Sequence, residues 1–467
     1  MKRTVLTSAL LAAFAIPSVA LATDGYFSHG YGMKAKGMGG ASTAMTDDAF
    51  GGANNPASMV WVGSRLDIGV DLFSPRRHVE RNGATPALGI NGSVDSDSNL
   101  FLIPEFGYNR MLGADKSVGI TVYGNGGMNT NYSGGQIPAA SACGGPTGFN
   151  PGVTGGGSAP YNMLCGSGRL GMNLEQLIVA PTFAMKVNKD NSFGASVLLA
   201  YQKFKAEGLD GFWGFTQYNN GTPAGPATWA ANNNLTNRGN DTSFGYGLRL
   251  GWMGRVSDTV TLGASYTTKT KMRKFDKYKD LFPAQGYFDM PDSLNLGIAV
   301  KATPALTLAA DFERINYSGI KSIANPSTNI GNSVAATFFT AGSLGCDSCR
   351  GFGWGSVNVF KLGAEYQYTP TLMLRAGYNH SDNPIQGRDV TFNIIAPGVV
   401  KDHLTLGFTY NVTKDSELTM AYMHAFKNSV EASSLFNAFM PPGVTAGTDK
   451  IQMYENSLGI AYGVRFK

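Results

Sequence analysis

Residues 457–466 of the chain read Ser-Leu-Gly-Ile-Ala-Tyr-Gly-Val-Arg-Phe. Every second residue in this stretch is large and apolar, and the residues between are small or polar. Because side chains alternate between the two faces of a β-strand, the pattern predicts a strand with one apolar face. A terminal strand of this kind, with an aromatic residue beside the chain end, is typical of outer-membrane barrels, whose apolar face meets lipid.

The other end of the chain carries the pattern of an export signal. Lys2 and Arg3 precede an apolar stretch over residues 5–15, and Ala20-Leu21-Ala22 offers a small-residue cleavage site. This arrangement predicts a secretory signal peptide over residues 1–22. The alternative is a membrane anchor, which the short apolar run disfavours. No later segment has the roughly 18 uninterrupted apolar residues that a membrane-spanning helix needs.

The composition favours a barrel over soluble domains. Glycine accounts for 61 of the 467 residues, aromatic residues for 11% and charged residues for 15%, whereas ordinary soluble domains carry about 25% charged residues. Removal of Lys2 and Arg3 lowers the formal net charge from +5 to +3. A charge this small does not indicate a nucleic-acid partner.

Counting alternating segments predicts an all-β fold, a 14-stranded antiparallel transmembrane β-barrel over residues 65–467. The fourteen strands are predicted at residues 65–75, 99–109, 117–124, 175–187, 192–204, 242–256, 260–270, 289–301, 306–317, 357–368, 372–379, 401–411, 416–426 and 452–466. Short links between them alternate with long links that are rich in Gly, Asn and Ser. Short periplasmic turns and long external loops produce this alternation in outer-membrane barrels.

Residues 23–64 precede the first predicted strand and show no alternation. They are rich in glycine and small residues, with isolated large apolar side chains such as Phe50 and Trp61. A disordered tail is one interpretation. We favour a plug inside the barrel lumen, because glycine permits the tight turns that a narrow space requires.

Several motifs in this chain resemble those of the FadL family of outer-membrane fatty-acid transporters, whose TodX branch admits aromatic hydrocarbons. They are Gly37-Met38-Gly39-Gly40-Ala41, Asp47-Asp48-Ala49, Asn54-Asn55-Pro56-Ala57-Ser58, Met290-Pro291-Asp292-Ser293 and Arg375-Ala376-Gly377-Tyr378-Asn379. The resemblance implies a barrel in the Gram-negative outer membrane, closed by an N-terminal hatch that contains Asn55, Pro56 and Ala57. One departure is that Lys467 follows the terminal aromatic residue.

The resemblance also implies a kink in the third strand that opens the barrel wall sideways. The third predicted strand ends in a glycine-rich segment, and glycines within strands mark bulges and bends. Gly124, Gly126 and Gly127 are therefore the candidate lateral opening. The alternative is that they only begin the following long loop.

Aromatic and basic residues supply candidates for substrate binding. Phe212, Trp213, Phe215 and Phe282 lie in predicted external loops, where an apolar cluster is expected to capture hydrophobic molecules. The alternatives are the interfacial aromatic belt and internal packing of the loops.

Three basic residues are predicted to face the lumen: Arg249, Lys361 and Arg375. Each could bind a carboxylate. The alternative is structural pairing with acidic residues that also face the lumen.

The four cysteines predict two local disulfides, Cys143 with Cys165 and Cys346 with Cys349, because export places the chain in an oxidising compartment. The short Cys346–Cys349 spacing could also indicate redox or zinc chemistry, but the sequence offers no further zinc ligands nearby. We find no catalytic constellation, and we expect no metal or cofactor.

These observations predict passive outer-membrane transport of hydrophobic molecules, with long-chain fatty acids as the first cargo and aromatic or other hydrocarbons as the second. Capture at the loops is followed by passage through the lumen and hatch-gated release. The expected partners are the ligand, outer-membrane lipid and lipopolysaccharide, and the protein is expected to be a monomer. A general porin and an adhesive outer-membrane protein are the alternatives.

Overall fold

The computed structural model describes residues 24–45, 47–144, 160–216, 234–329 and 343–466. The predicted signal peptide, residues 1–22, lies outside the described residues.

Sixteen strands form one sheet, and all of their pairings are antiparallel. They are β1 (Arg65–Ala84), β2 (Gly92–Asp95), β3 (Phe101–Met111), β4 (Lys116–Tyr132), β5 (Leu170–Lys186), β6 (Asn191–Glu207), β7 (Asp241–Arg255), β8 (Val260–Thr267), β9 (Lys271–Met272), β10 (Ser293–Thr303), β11 (Leu306–Ile315), β12 (Val357–Thr369), β13 (Leu372–Ser381), β14 (Asp402–Asn411), β15 (Ser416–Ser433) and β16 (Ala446–Arg465).

The sheet closes because β16 pairs with β1 from Arg65–Arg465 to Ala84–Ala446. β2 and β9 are short additions that pair with β1 and β7, so the other fourteen strands make the ring. The prediction of a 14-stranded antiparallel barrel is confirmed.

Several strands extend further outward than predicted. β1 ends at Ala84 rather than at residue 75, and β15 ends at Ser433 rather than at residue 426. In these extensions polar residues replace the apolar outward side chains, so the period-two pattern fades before the hydrogen-bonded ladder ends.

The outward faces of the strands carry large, exposed apolar side chains. On β7, Phe244, Tyr246, Leu248 and Leu250 are 47–67% exposed and alternate with small or polar residues. A solvated surface of this kind would be unfavourable, whereas a lipid-facing band requires it.

The described residues of the range 24–64 lie inside the barrel, and all of them are buried or half-buried. Their two ordered elements are helix α1 (Met33–Gly37) and the 3-10 segment Pro56–Trp61. Helix α1 contacts β13 to β16, and the 3-10 segment contacts β4 to β7 on the opposite side of the barrel. The N-terminal segment therefore bridges the lumen, and we call it the plug.

The remaining helical turns lie in connections between strands. They are α2 (Pro283–Gly286), α3 (Lys321–Ala324), and the 3-10 segments Pro86–Leu88, Asp210–Phe215, Asp276–Tyr278, Tyr317–Gly319, Gly387–Asp389, Phe392–Ile395 and Leu435–Phe439. Among the helices that the structure describes, none has the length and apolar character needed to cross a membrane.

Candidate functional site

The outer end of the barrel contains an apolar cavity of about 40 Å³. Its lining consists of Leu164, Leu209, Phe212, Leu235, Leu281, Phe282, Pro283, Ser322, Leu344, Arg350, Gly351, Phe352, Phe392 and Ile395. Arg350 and Ser322 are the two polar side chains in this lining. An apolar pocket with few polar groups is the usual form of a site for a hydrophobic ligand, and we call this cavity the loop pocket.

The structure brings three of the predicted capture residues to the loop pocket or beside it. Phe212 and Phe282 line it, and the ring centroid of Phe212 lies 5.7 Å from that of Phe215. All three rings are buried, with Phe282 only 1% exposed. The side chain of Trp213 lies outside the described residues. These aromatic residues pack within the folded loops, around a cavity, rather than forming an exposed patch.

Arg350 is a pocket residue that sequence reasoning missed. Its guanidinium donates hydrogen bonds to Ser343 Oγ at 3.2 Å and to the Ser327 carbonyl at 2.5 Å, and it lies 5.6 Å from the Phe215 ring centroid. Burial lowers the pKa of Arg350 to about 10, so the group stays charged at neutral pH. Its position directly after Cys349 was the only sequence signal, because the Cys346–Cys349 disulfide belongs to the same loop.

The second disulfide joins Cys143 to Cys165, and Leu164 beside it lines the loop pocket. The structure thus contains both cysteine pairs that the sequence predicts. Each disulfide closes a loop segment at the outer end of the barrel.

A run of aromatic side chains leads from the loop pocket to the first residues of the plug. The ring of Phe282 lies 5.0 Å from that of Phe288, which lies 6.3 Å from that of Tyr26, and Tyr26 lies 5.3 Å from Phe27. All four belong to one buried apolar cluster. The pocket and the plug tip, which we define as residues 24–28, therefore share a continuous apolar interior.

Tyr317 fastens the plug tip. Its hydroxyl donates to the Asp24 carbonyl at 2.5 Å and accepts from the Tyr26 N–H at 3.1 Å. Its ring packs against Tyr26 at 5.1 Å and Phe27 at 5.9 Å between centroids.

The barrel wall has an interruption between β3 and β4. The ladder between these strands ends at the pair Phe106–Val122. Above this pair, among the described residues, β4 has no partner in β3, and Phe101–Glu105 of β3 pair only with β1. The wall closes again where Ser96 bridges Tyr132. We call the interval between these closures the wall gap.

The predicted opening residues lie at the wall gap. Gly124, Gly126 and Gly127 belong to β4 and remain paired with β5, with a bulge between Gly124 and Gly126. They do not begin the following loop, because β4 continues to Tyr132. The sequence placed the end of the strand too early because glycines interrupt its alternation.

The plug tip occupies the inner side of the wall gap. Phe27 bridges Gly126, the Gly127 N–H donates to the Tyr26 carbonyl at 3.0 Å, and the Ser28 N–H donates to the Asn125 carbonyl at 3.3 Å. A Cβ atom on Gly126 would lie 1.8 Å from the Tyr26 carbonyl oxygen. The close approach of the tip therefore requires glycine at this position.

The predicted hatch residues anchor the other end of the plug. The Asn55 amide donates to the Thr43 carbonyl at 2.7 Å and to the Trp252 carbonyl of β7 at 2.9 Å. Its side-chain oxygen accepts from the Ala57 N–H at 3.1 Å and caps the 3-10 segment that Pro56 begins. Asn55 thus joins two plug segments to the wall.

The three predicted head-group bases have other partners in the lumen. Arg249 donates to the plug carbonyls of Gly52, at 2.9 Å, and Ala53. Lys361 pairs with Glu313 at 2.7 Å, and Arg375 pairs with Glu365 at 2.5 Å. The contacts of Lys361 and Arg375 match pairing with acidic residues, the alternative considered for them, whereas Arg249 is held by plug carbonyls. None of the three lines the loop pocket.

Two plug lysines that the sequence reasoning did not single out form buried ion pairs with the wall. Lys34 Nζ lies 2.6 Å from Glu417 Oε1, and Lys36 Nζ lies 2.6 Å from Asp71 Oδ2. Both lie on helix α1, so this helix is held to the wall electrostatically. Nothing in the local sequence pairs these residues, because their partners are distant in the chain. Within the described ranges, no His, Cys, Asp or Glu cluster is arranged to hold a metal ion.

Comparisons with known proteins agree with this architecture. Residues 161–438 match the family described as outer membrane protein transport protein (OMPP1/FadL/TodX). Because the match covers more than half of the chain, the protein belongs to this family. It is therefore an outer-membrane transporter of hydrophobic molecules, and the predicted family and location are confirmed. No curated protein matches the chain in sequence.

Solved structures share the fold at low identity. The Pseudomonas putida toluene transporter TodX is 18% identical with a TM-score of 0.62, covering 94% of this chain and 99% of TodX. The Ralstonia pickettii toluene transporter TbuX is 16% identical with a TM-score of 0.57, covering 94% and 99%. A FadL homologue from Pseudomonas aeruginosa is 13% identical with a TM-score of 0.61, covering 95% and 100%.

Proposed function

We propose that this member of the outer-membrane transport family moves hydrophobic molecules passively from the loop pocket to the wall gap. The cargo enters the loop pocket, displaces the plug tip and leaves sideways through the wall gap into the membrane. Consumption of the cargo inside the cell maintains the gradient that drives the flow.

The observation that carries this proposal is the continuity of the apolar interior. The loop pocket, Phe288, Tyr26 and Phe27 belong to one buried cluster, and that cluster ends at Gly126 in the wall gap. A hydrophobic molecule on this route exchanges one apolar contact for another and avoids the ion pairs of the lumen. Since transfer of apolar surface into water costs about 25 cal/mol per Å², such a route lowers the barrier relative to an aqueous pore.

Long-chain fatty acids are our first cargo. The apolar lining of the loop pocket suits the methylene groups of an alkyl chain, and Arg350 in that lining provides a cation for the carboxylate. A guanidinium can hold a carboxylate through two parallel hydrogen bonds. Arg350 replaces the lumen bases Arg249, Lys361 and Arg375 in this role.

Aromatic hydrocarbons are the second candidate. Apart from Arg350 and Ser322 the pocket lining is apolar, which suits an uncharged molecule. TodX and TbuX, whose fold this chain shares, are described as toluene transporters.

Replacement of Arg350 separates the two cargoes. We expect Arg350→Gln to weaken oleate binding to the purified protein about tenfold, because one charge-assisted contact is lost, and to leave toluene binding unchanged. The matched control is Arg169→Gln, which removes a loop arginine that is more than half exposed and should change neither ligand. Equal oleate binding by the wild type, Arg350→Gln and Arg169→Gln would show that Arg350 does not bind the carboxylate.

Uptake itself is tested in cells that lack the native protein. Wild-type protein should restore growth on oleate or toluene, and Phe288→Arg should not, because it places a charge on the apolar route. Wild-type growth with Phe288→Arg, while the barrel assembles normally, would contradict the route. Large steady ion currents through wild-type protein in planar bilayers would favour a general porin instead.

A further inference from the structure

A second cavity lies on the wall of the barrel, next to Ser96 at the outer closure of the wall gap. It has a volume of about 460 Å³ and is lined mainly by polar and basic side chains of β1, β15 and β16 and the segment after β2. Its charged residues are Arg76, Arg77, Lys427 and Asp95. Arg77 is buried and donates to the Pro75 and Ser98 carbonyls. The exposed charges of the cavity are therefore Arg76 and Lys427 against Asp95, and we call this cavity the basic cleft.

The basic cleft arises from the strand pairing. β3 pairs with β1 only as far as Phe73, and β2 begins to pair with β1 at His78. Between these points the chain that joins β2 to β3 leaves the ladder. The part of β1 between Phe73 and His78, which contains Arg76, therefore has no strand partner on one side.

Two exposed cations flank one aromatic ring at this interval. Arg76 pairs across the ladder with Tyr454 of β16. On the other side of Tyr454, a register shift between Ala425 and Asn428 places Lys427 beside it. Arg76, Tyr454 and Lys427 all point outward. In the part of the chain that the structure describes, neither Arg76 nor Lys427 forms an ion pair.

The one acidic residue of the cleft is already engaged. Asp95 Oδ1 lies 2.8 Å from His78 Nδ1. Asp95 is directed toward His78 and, among the described residues, forms no ion pair with Arg76 or Lys427, so their side of the cleft is open to an anion.

The depth of the cleft matches the outer boundary of the membrane. Along β1 the outward residues Ile68 and Leu72 are apolar and exposed, and Arg76 follows two outward positions later. Arg76 is eleven residues above Arg65, which is roughly 36 Å along the strand, or about 28 Å along the membrane normal at a typical tilt. The apolar band of such barrels is about 25 Å tall, so the cations lie just above it.

We propose that the basic cleft binds a phosphate group of lipopolysaccharide in the outer leaflet. In this leaflet the phosphates lie where acyl chains meet sugars, at the level of Arg76 and Lys427. Guanidinium and ammonium groups form charge-assisted hydrogen bonds with phosphate, and the adjacent exposed apolar band contacts the acyl chains. Arg76 and Lys427 belong to neither the loop pocket nor the plug tip, although the cleft adjoins the wall gap at Ser96.

The test is a titration of delipidated protein in detergent with purified lipopolysaccharide, followed by native mass spectrometry. We expect Arg76→Ala/Lys427→Ala to bind at least tenfold more weakly than wild type, since each charged contact contributes about tenfold. The matched control is Lys116→Ala/Lys414→Ala, which removes an exposed lysine at the start of β4 and another in the turn between β14 and β15, and which should bind like wild type. Enzymatically dephosphorylated lipopolysaccharide should bind wild type at least tenfold more weakly.

Equal binding by the wild-type protein and the cleft variant would overturn the proposal, as would undiminished binding of the dephosphorylated lipid. Displacement of the lipid by low-millimolar inorganic phosphate would also overturn it, because the site would then be one for free phosphate. Heat-modifiable migration on gels checks that each variant is folded, and Arg76→Gln/Lys427→Gln provides a milder second variant with the same expected loss. Oleate and toluene binding should be unchanged in the cleft variants, so failure here is distinguishable from failure of the cargo proposal.

Discussion

Asn55→Ala should loosen the plug while the barrel stays intact. The fully buried Asn55 side chain makes three hydrogen bonds of 2.7 to 3.1 Å, to the carbonyls of Thr43 and Trp252 and from the Ala57 N–H. At about 0.5–1.5 kcal/mol of net stability for each bond, their loss costs about 2–4 kcal/mol. This cost falls on the docking of the plug, because the ladders of the wall do not involve the Asn55 side chain.

Hydrogen–deuterium exchange measures this cost directly. For local opening, about 1.4 kcal/mol corresponds to a tenfold change in rate, so peptides from residues 47–64 should exchange roughly 30 to 700 times faster. Peptides from β12 to β14 should be unchanged. Asn54→Ala is the matched control, because the half-buried Asn54 side chain makes one bond, to the Tyr31 carbonyl at 2.9 Å, and should give a change of roughly fivefold.

Equal exchange in wild type and Asn55→Ala would refute the reasoning that these bonds hold the plug. Equal acceleration in both variants would show that Asn55 has no special role. We also expect Asn55→Ala to alter uptake of oleate or toluene in cells, whereas the amount of assembled barrel in the outer membrane should match wild type. Unaltered uptake would count against a hatch role for Asn55.

Three further perturbations address the remaining contacts of the plug. Lys36→Ala removes the ammonium group that lies 2.6 Å from the buried Asp71 carboxylate and should destabilise plug docking by about 3 kcal/mol. In exchange measurements, Lys36→Ala/Asp71→Ala should recover part of this loss. No recovery would contradict the pairing. Tyr317→Phe removes both hydrogen bonds from the Tyr317 hydroxyl to the plug tip. It should speed proteolysis near residues 24–28 and leave hydrogen exchange at α1 unchanged. Unchanged proteolysis would show that the hydroxyl does not fasten the tip. Gly126→Ala introduces a Cβ atom 1.8 Å from the Tyr26 carbonyl oxygen, so it should displace the plug tip and speed hydrogen exchange there. Gly355→Ala, whose new Cβ would have no atom closer than 3.7 Å, is the control and should not change exchange at the tip. Equal exchange at the tip in the two variants would contradict the close approach.

The strands were predictable because each is encoded locally. The lipid-facing side chains of β7 and β16 repeat every two residues, and a lipid-facing surface tolerates little variation in this pattern. The outer extensions were missed because they stand above the membrane, where the outward face is free to be polar. β1 and β15 lose their apolar repeat at Arg76 and Lys427, yet their ladders continue.

The site was less predictable because it depends on contacts between distant segments. Lys36 and Asp71 are 35 residues apart, and Lys34 and Glu417 lie at opposite ends of the chain. The wall gap is a property of pairing: the glycines of β4 indicated a bend or an opening, but nothing in the sequence of β3 showed that Phe101–Glu105 would pair only with β1. Arg350 had one local signal, its position directly after Cys349, and its partners Ser327 and Ser343 are known only from the folded loops.

The contacts of the plug divide it into two parts that should respond differently to a hydrophobic molecule. The body of the plug, from α1 to the segment Pro56–Trp61, is held by buried ion pairs such as Lys36–Asp71 and by amide hydrogen bonds such as those of Asn55. An apolar ligand cannot replace these polar partners, and breaking a buried ion pair costs about 3–5 kcal/mol.

The plug tip is held mainly by aromatic packing around Tyr26 and Phe27, with a few hydrogen bonds to Tyr317 and β4. A ligand that enters this cluster offers the same kind of contact and competes directly for the space of the two rings. We therefore expect ligand binding to release the tip and not the body, so that oleate accelerates hydrogen exchange at residues 24–28 and leaves α1 protected. Equal acceleration of both segments would mean that the plug moves as one unit, and the polar contacts of the body would then not be what holds it.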